Sequence, residues 1–378
     1  MEYKIDKIKL VHFIHKPFLA GAQRASLDVL RSLTNSNVEM YLLYANDKSV
    51  DSNLRNIFIK EFEDIGVKTV PLNKLNAKIG ISDIFAIIEV YRVLKRIKPD
   101  IINTISSKPF FIGGIVSYVL RIPQRIHTVQ GLSWFADMPF FTKYFRYFLE
   151  QLAMLFFNKI VFVNNYYTKF FPLQKKKATY IPNGKMFQNL SPTKINSDLV
   201  RILFVGRLDF QKDPITLLKS FEYYLKNYSS KKKVVLDIVG DGPDRYNLES
   251  FVSHSELLSN NIVFHGWSSS VNQFLNKSDI FISTPRYEAF GFVFLEAANY
   301  YLPVISTNVE GVPEVVLNGF GGVLHDQGDY KSISNSINLL VENYTLRSEF
   351  GKFHGDYCRE KYHSKKIENL YKNLYHLD

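Results

Sequence analysis

The feature that most constrains this chain is a βα alternation that runs, breaks and runs again. Short β-branched or apolar runs at 8–14, 40–44, 68–71, 101–104, 125–128, 160–163 and 179–181 read as strands. Between them, segments 22–33, 82–97, 110–120 and 144–157 carry a helical period. Strands that alternate with helices imply a mostly parallel, doubly wound sheet. After Pro182-Asn183-Gly184 the periodicity lapses into a polar stretch, 185–197, and then the alternation restarts. The second run has strands at 200–205, 234–239, 262–264, 280–283, 304–306 and 322–324. Its helices are at 214–226, 244–253, 270–276, 292–298, 312–317 and 330–342.

The expected fold class is therefore α/β, with two Rossmann-like domains facing across a central cleft. The expected boundaries are an N-terminal domain at 1–185, a linker at 186–199 and a C-terminal domain at 200–345. A helical segment at 346–378 is expected to cross back to the N-terminal domain. A length of 378 residues accommodates two such domains with sizeable cores. The single cysteine, Cys358, excludes a disulfide scaffold and a cysteine-based zinc site. The charged N-terminus shows no signal-peptide core, and the longest apolar runs, 109–120 and 152–163, fall short of a membrane span. The expected location is cytoplasmic, peripheral to a membrane.

Charge is divided unevenly. Residues 1–190 contain 27 Lys+Arg and 14 Asp+Glu, whereas 191–378 contain 20 and 22. The basic surplus thus belongs to the first half. There Lys143, Arg146, Lys159, Lys169 and Lys175–Lys177 lie among Phe140, Phe141, Tyr144, Phe145, Tyr147 and Phe148. A basic and aromatic surface suits an anionic bilayer. In the run 144–157, one stripe is expected to be buried and a basic edge exposed. A nucleic-acid partner is not expected, because no recognition helix or aromatic RNA-binding signature accompanies the charge.

Four constellations carry chemistry. Leu19-Ala20-Gly21-Ala22 follows the first strand and opens a helix, where phosphate is attracted to free amides. Val205-Gly206-Arg207-Leu208-Asp209, then Lys212-Asp213-Pro214, places two cations beside a helix N-terminus as a diphosphate cradle. Val239-Gly240-Asp241-Gly242-Pro243 is a tight strand-to-helix turn able to pass close to a nucleotide. In the fourth, Pro285-Arg286-Tyr287-Glu288-Ala289-Phe290-Gly291, a second glutamate, Glu296, follows inside an apolar helix. A carboxylate there is costly to bury unless it accepts hydrogen bonds.

In this order, and with Thr307–Glu314 following, these motifs resemble the second half of glycosyltransferase family 4, retaining sugar-nucleotide transferases of the GT-B fold. The first half is similar more loosely, through Ala20–Ala22, His127–Gly131 and Ile181–Gly184. The resemblance implies that Arg207 and Lys212 hold the donor diphosphate, with Gly206 beside them and the amides near Gly21 facing it. It implies that Glu296 binds ribose, and that Glu288 contacts the transferred sugar with backbone at Phe290 and Gly291. Gly240, Gly242 and Trp267 would line the base end.

Four departures from the family pattern stand out. Ala20-Gly21 replaces a common Gly-Gly, Gln23 replaces the glutamate that often follows, and Ala289 replaces a glycine. Gln130 stands where many members carry a histidine, with His127 three residues earlier. His127 and Gln130 are thus the acceptor-side or sugar-side candidates. No Asp-x-Asp motif is present, so no cofactor is expected and transfer is expected to be metal-independent. The implied acceptor is a polyprenyl-diphosphate-linked glycan of bacterial surface polysaccharide (O-antigen or capsule type) biosynthesis. The alternatives are a GT-B-fold sugar-nucleotide epimerase and a non-enzymatic anion-binding protein.

Overall fold

The computed structural model describes residues 7–76, 80, 82–135, 138–190 and 196–377. The chain forms two compact units, one of 1–185 with 364–378 and one of 186–363.

The first unit runs β1 (Ile8–Phe13), α1 (Gly21–Ser32), β2 (Val38–Ala45), α2 (Ser52–Glu63), β3 (Lys68–Leu72), α3 (Ser82–Ile97) and β4 (Ile101–Ile105). It continues with α4 (Ser107–Val119), β5 (Gln124–Val129), α5 (Phe140–Ala153), β6 (Lys159–Phe162), α6 (Asn165–Thr168) and β7 (Ala178–Tyr180). Its seven strands lie in the order β3-β2-β1-β4-β5-β6-β7, all pairs parallel. Helix α2 was not expected from periodicity. Asp51 caps it, accepting from the amides of Asn53 and Leu54 at 2.9 and 3.1 Å. Its only buried side chains are Phe58 and Phe62, too few to mark an apolar face.

The second unit runs β8 (Leu199–Val205), α7 (Pro214–Asn227), β9 (Lys233–Val239), α8 (Arg245–Ser253), α9 (Glu256–Ser259), β10 (Ile262–Gly266) and α10 (Asn272–Lys277). It continues with β11 (Ile280–Ser283), α11 (Phe292–Asn299), β12 (Val304–Thr307), α12 (Val312–Val315), β13 (Gly322–His325), α13 (Tyr330–Glu342) and α14 (Tyr344–Tyr362). The strand order is β10-β9-β8-β11-β12-β13, again wholly parallel. Both faces of this sheet are covered, so residues 202–205 of β8 and 280–282 of β11 read as apolar runs without alternation.

The C-terminal segment is not one helix. It breaks at His363, whose backbone is extended. Helix α14 stays with the second unit, where Gly351 and Gly355 lie against Tyr301. The last helix, α15 (Ser364–Tyr375), belongs to the first unit. There the Tyr375 hydroxyl meets His12 Nε2 at 3.0 Å and accepts from Asn103 Nδ2 at 2.9 Å. Residues 186–190 of the expected linker lie with the second unit. Gln188 donates its amide to Asn299 Oδ1 at 2.7 Å and accepts from Arg359 at 2.9 Å. Residues 191–195 of that linker lie outside the described residues, as do residues 1–6 of the charged N-terminus.

Candidate active site

In a doubly wound sheet the strand order reverses once, and ligands bind outside the carboxyl ends of the strands at that point. In the second unit the reversal falls between β8 and β11. The loops that leave these two strands carry Arg207, Lys212 and Glu288. Topology thus brings together motifs separated by 76 residues.

Asp209 organises the first of these loops. Its nearly buried carboxylate takes the Arg207 Nε hydrogen and accepts from the Lys212 amide at 3.1 Å. Arg207 is 62% exposed, so its fork points to solvent with one nitrogen held. Lys212 is more enclosed, and its Nζ donates to Glu288 Oε2. Asp213 then adopts a left-handed backbone, φ +45°, immediately before Pro214 starts α7. That strained residue is held by Thr284 Oγ1, which donates to its carbonyl at 2.9 Å.

The Glu288 loop is braced from both sides. Arg286 donates its amide to Gln211 O at 2.8 Å, and Gly311 donates to Glu288 O at 3.1 Å. The Arg286 guanidinium stacks 4.3 Å from the Phe210 ring and pairs with Asp213 at 3.4 Å. Arg286 and Asp209 are therefore site residues that motif reading left without a role. Phe290 buries its ring against Tyr362, so it offers the site only backbone. Gly291, with φ +81°, is the N-cap of α11, a helix that begins without a side-chain cap. Glu296 sits half-buried one turn further on, between the buried Leu295 and Ala297. Burial and the nearby Glu296 charge raise the Tyr300 phenol above its ordinary range.

The glycines at the other side of β8 form a tight backbone junction. The Gly206 amide donates to Val239 O at 3.0 Å, and the Gly240 amide to Gly266 O at 2.8 Å. A Cβ on Gly240 would lie 1.9 Å from Gly206 O, and one on Gly242 would lie 2.3 Å from Leu208 O. Trp267 follows Gly266 and is largely exposed.

The first unit repeats the plan, with its reversal between β1 and β4. Gly21 opens α1 behind Ala20, which supplies no side-chain cap. His127 is buried on β5, its Nδ1–H donating to Thr104 O at 2.9 Å, its ring stacked on Phe110. Burial pushes it down to about 3. The histidine is thus neutral and nearly buried, and it lines the same recess as Gln130.

Gln130, at the carboxyl end of β5, exchanges two hydrogen bonds with Asn183, at 2.9 and 3.0 Å. Ser106, Gln130, Gly131 and Glu150 line a small recess there. Among the described residues, no group of three or more His, Cys, Asp or Glu side chains is placed to hold a metal ion.

Two doubly wound parallel sheets, one with two cations and a carboxylate at its reversal point, form an arrangement suited to a nucleotide-linked substrate. A family model described as glycosyl transferases group 1 matches residues 187–354, and one described as glycosyl transferase 4-like matches residues 27–164. The chain belongs to these glycosyltransferases, and its fold is GT-B. Membership sets aside the epimerase and binding-only alternatives.

An Escherichia coli UDP-Gal:alpha-D-GlcNAc-diphosphoundecaprenol alpha-1,3-galactosyltransferase is 26% identical over 90% of both chains. The Staphylococcus aureus capsular polysaccharide biosynthesis glycosyltransferase CapM is 24% identical over 97% of this chain and 96% of its own. The crystal structure of Anabaena HepE with UDP and glucose superposes with a TM-score of 0.78 at 15% identity, covering 97% and 98% of the two chains.

Proposed function

We propose that this glycosyltransferase moves a sugar from a nucleoside diphosphate donor to a polyprenyl-diphosphate-linked glycan during assembly of a bacterial surface polysaccharide. The observation that carries the donor half is Arg207 and Lys212 on the β8 loop beside Glu288 on the β11 loop. The acceptor half rests on the lipid-linked acceptor named for the Escherichia coli relative and on the capsule role named for CapM.

In this reading the two cations stabilise the departing diphosphate, together with the amides at the start of α7. No metal is needed for that charge. The acceptor oxygen bonds to the anomeric carbon on the face from which the diphosphate leaves. The bond from that carbon to the phosphate oxygen breaks, and a phosphate oxygen takes the acceptor proton. Configuration is retained without a protein nucleophile. Glu296 holds the ribose hydroxyls, Glu288 the transferred sugar, and Gln130 a hydroxyl of the sugar or acceptor. Among the described residues no helix is long and apolar enough to cross a membrane. In this reading the enzyme works from the cytoplasmic face, held peripherally on the plasma membrane where its lipid-linked acceptor lies.

A panel of sugar nucleotides in a thermal-shift assay, followed by transfer from the one that binds, tests the reading. Stabilisation by one nucleoside diphosphate sugar and transfer undiminished in EDTA are expected. Transfer abolished by EDTA and restored by Mn²⁺ would overturn the metal-free mechanism.

A further inference from the structure

Helix α5 has two faces of opposite character. On one, Glu150 is buried, accepting from the Ser133 amide at 2.8 Å and from Trp134 Nε1 at 3.0 Å. On the other, Phe141, Phe145, Phe148 and Leu152, followed by Leu155 in the next turn, are all exposed, Phe141 to 86%. Their spacing of four, three, four and three residues aligns them in one straight stripe along the helix. The neighbouring helix α4 adds the exposed Tyr118 and Val119, with Tyr118 against Phe156. Soluble surfaces scatter exposed apolar residues singly, and a continuous row marks a surface that is covered in use.

Charge identifies what covers it. From Met138 to Leu190 the sequence carries eight Lys+Arg and one acidic residue, Glu150, whose carboxylate faces inward. Lys169, Lys175 and Lys176 are exposed, and Phe170, next to Lys169, accepts from Tyr147 and Gln151 of α5 at 3.1 and 3.0 Å. An apolar ridge with cations and, among the described residues of 138–190, no exposed anion matches an interface of acyl chains under anionic headgroups. Protein–protein interfaces are depleted in lysine, whereas Lys169, Lys175 and Lys176 are exposed in the segments after α5.

We propose that α5 is the element that docks this enzyme on the anionic leaflet of a phospholipid bilayer, with Phe141, Phe145 and Phe148 entering the acyl boundary. The proposal rests on the function above for its biological setting and adds the surface itself. The docked helix also holds the acceptor side in register. Glu150 binds the loop that follows Gln130 and Gly131, so fixing α5 in the headgroup plane fixes that loop at a set height over the bilayer.

The test compares the wild-type chain with Phe141→Ser/Phe145→Ser/Phe148→Ser and with Lys175→Glu/Lys176→Glu. All three are mixed with vesicles of phosphatidylethanolamine alone or with phosphatidylglycerol. Wild type should co-float with the phosphatidylglycerol vesicles, less so in high salt, and each variant should lose roughly tenfold or more of that partitioning. Transfer to a polyprenyl-linked acceptor in vesicles should fall in both variants, while transfer to a short-chain, water-soluble analogue should stay unchanged. Unaltered vesicle binding by the triple-serine variant would overturn the proposal. So would a wild-type chain that ignores vesicles but forms a dimer the variant cannot form, which assigns the ridge to a second copy. A wild-type chain that floats but binds no sugar nucleotide would overturn the functional reading and leave the docking surface standing.

Discussion

Lys212 and Glu288, from two loops on either side of the point where the strand order reverses, form an ion pair that is only 16% and 13% exposed. The lysine assigned to the diphosphate and the glutamate assigned to the sugar therefore orient one another. A ligand entering here meets a cation already placed, and its phosphate competes with a carboxylate for the same ammonium.

That arrangement separates the roles of the two cations. Lys212→Ala leaves an enclosed carboxylate without its partner, and it should lower both stability and turnover. With the pair partly open to solvent, a stability loss of about 1–3 kcal/mol is expected, below that of a fully buried pair. Turnover should fall by about 10²–10³-fold. Arg207 is mostly exposed and its enclosed partner Asp209 keeps the Lys212 amide, so Arg207→Ala should cost less, about 0.5–1.5 kcal/mol, while lowering turnover comparably. Steady-state kinetics beside urea unfolding reads both quantities. Full turnover in either folded variant removes that residue from the diphosphate site. In a double-mutant cycle, Lys212→Ala with Glu288→Ala should give a stability coupling of about 0.5–3 kcal/mol.

The junction behind these loops should be intolerant of any side chain. At Gly240 the backbone has φ +142°, and an added Cβ meets Gly206 O at 1.9 Å. The obstacle is backbone, which cannot rotate away. Gly240→Ala should cost on the order of 3 kcal/mol or more. Gly131 provides the contrast, because a Cβ there has nothing within 4 Å. Gly131→Ala should change stability by less than about 0.5 kcal/mol. Equal effects of the two substitutions would sink the argument.

Acid should destabilise the first unit through His127. Its ring is buried and neutral, with a folded value of about 3 against an ordinary value of 6.5. The unfolded chain binds a proton below the ordinary value that the folded chain does not accept. The histidine's contribution is thus fully present above pH 6.5 and is lost as the pH falls from there towards about 3. Each such group adds a slope of up to about 1.4 kcal/mol per pH unit. His12 is also lowered to about 3 by burial, so it contributes in the same direction. The clean measurement is a difference. His127→Asn is less stable at neutral pH, but its stability should fall less steeply than wild type between pH 6 and pH 4. Parallel pH profiles would contradict the burial argument.

Much of the fold was legible because parallel strands buried on both faces leave unmistakable apolar runs, such as Ile280–Ser283. The loop at the reversal point was legible for a related reason, since Gly206 and Arg207 follow β8 directly and Pro214 opens the next helix. What escaped notice depends on proximity across long sequence separations. Arg286 gains its meaning only from Asp213 and Phe210, which lie more than seventy residues earlier. Helix α2 buries two phenylalanines and so lacks a wide apolar stripe. The break at His363 is one residue of extended backbone between two helical patterns, and periodicity runs across it without a signal.

Gln130 and Asn183 show the same limit and yield the sharpest test of the acceptor side. The two amides satisfy one another in both directions, across 53 residues, with Asn183 buried. Gln130 is thereby held in one rotamer at the carboxyl end of β5, where a free side chain would sample several. Asn183→Ala should remove that restraint and cost about 1–3 kcal/mol, because it strands half of a buried amide pair. Gln130→Ala should cost less, since Asn183 regains access to water at the opened recess. If Gln130 acts on a sugar or acceptor hydroxyl, Asn183→Ala should raise KM for the acceptor, with donor KM unchanged. Gln130→Glu preserves shape but replaces the donor amide with a second acceptor facing Asn183 Oδ1, and it should lower acceptor turnover more than Asn183→Ala does. Acceptor kinetics indifferent to both substitutions would leave the pair a structural clamp between β5 and the segment after β7, and would remove Gln130 from the chemistry.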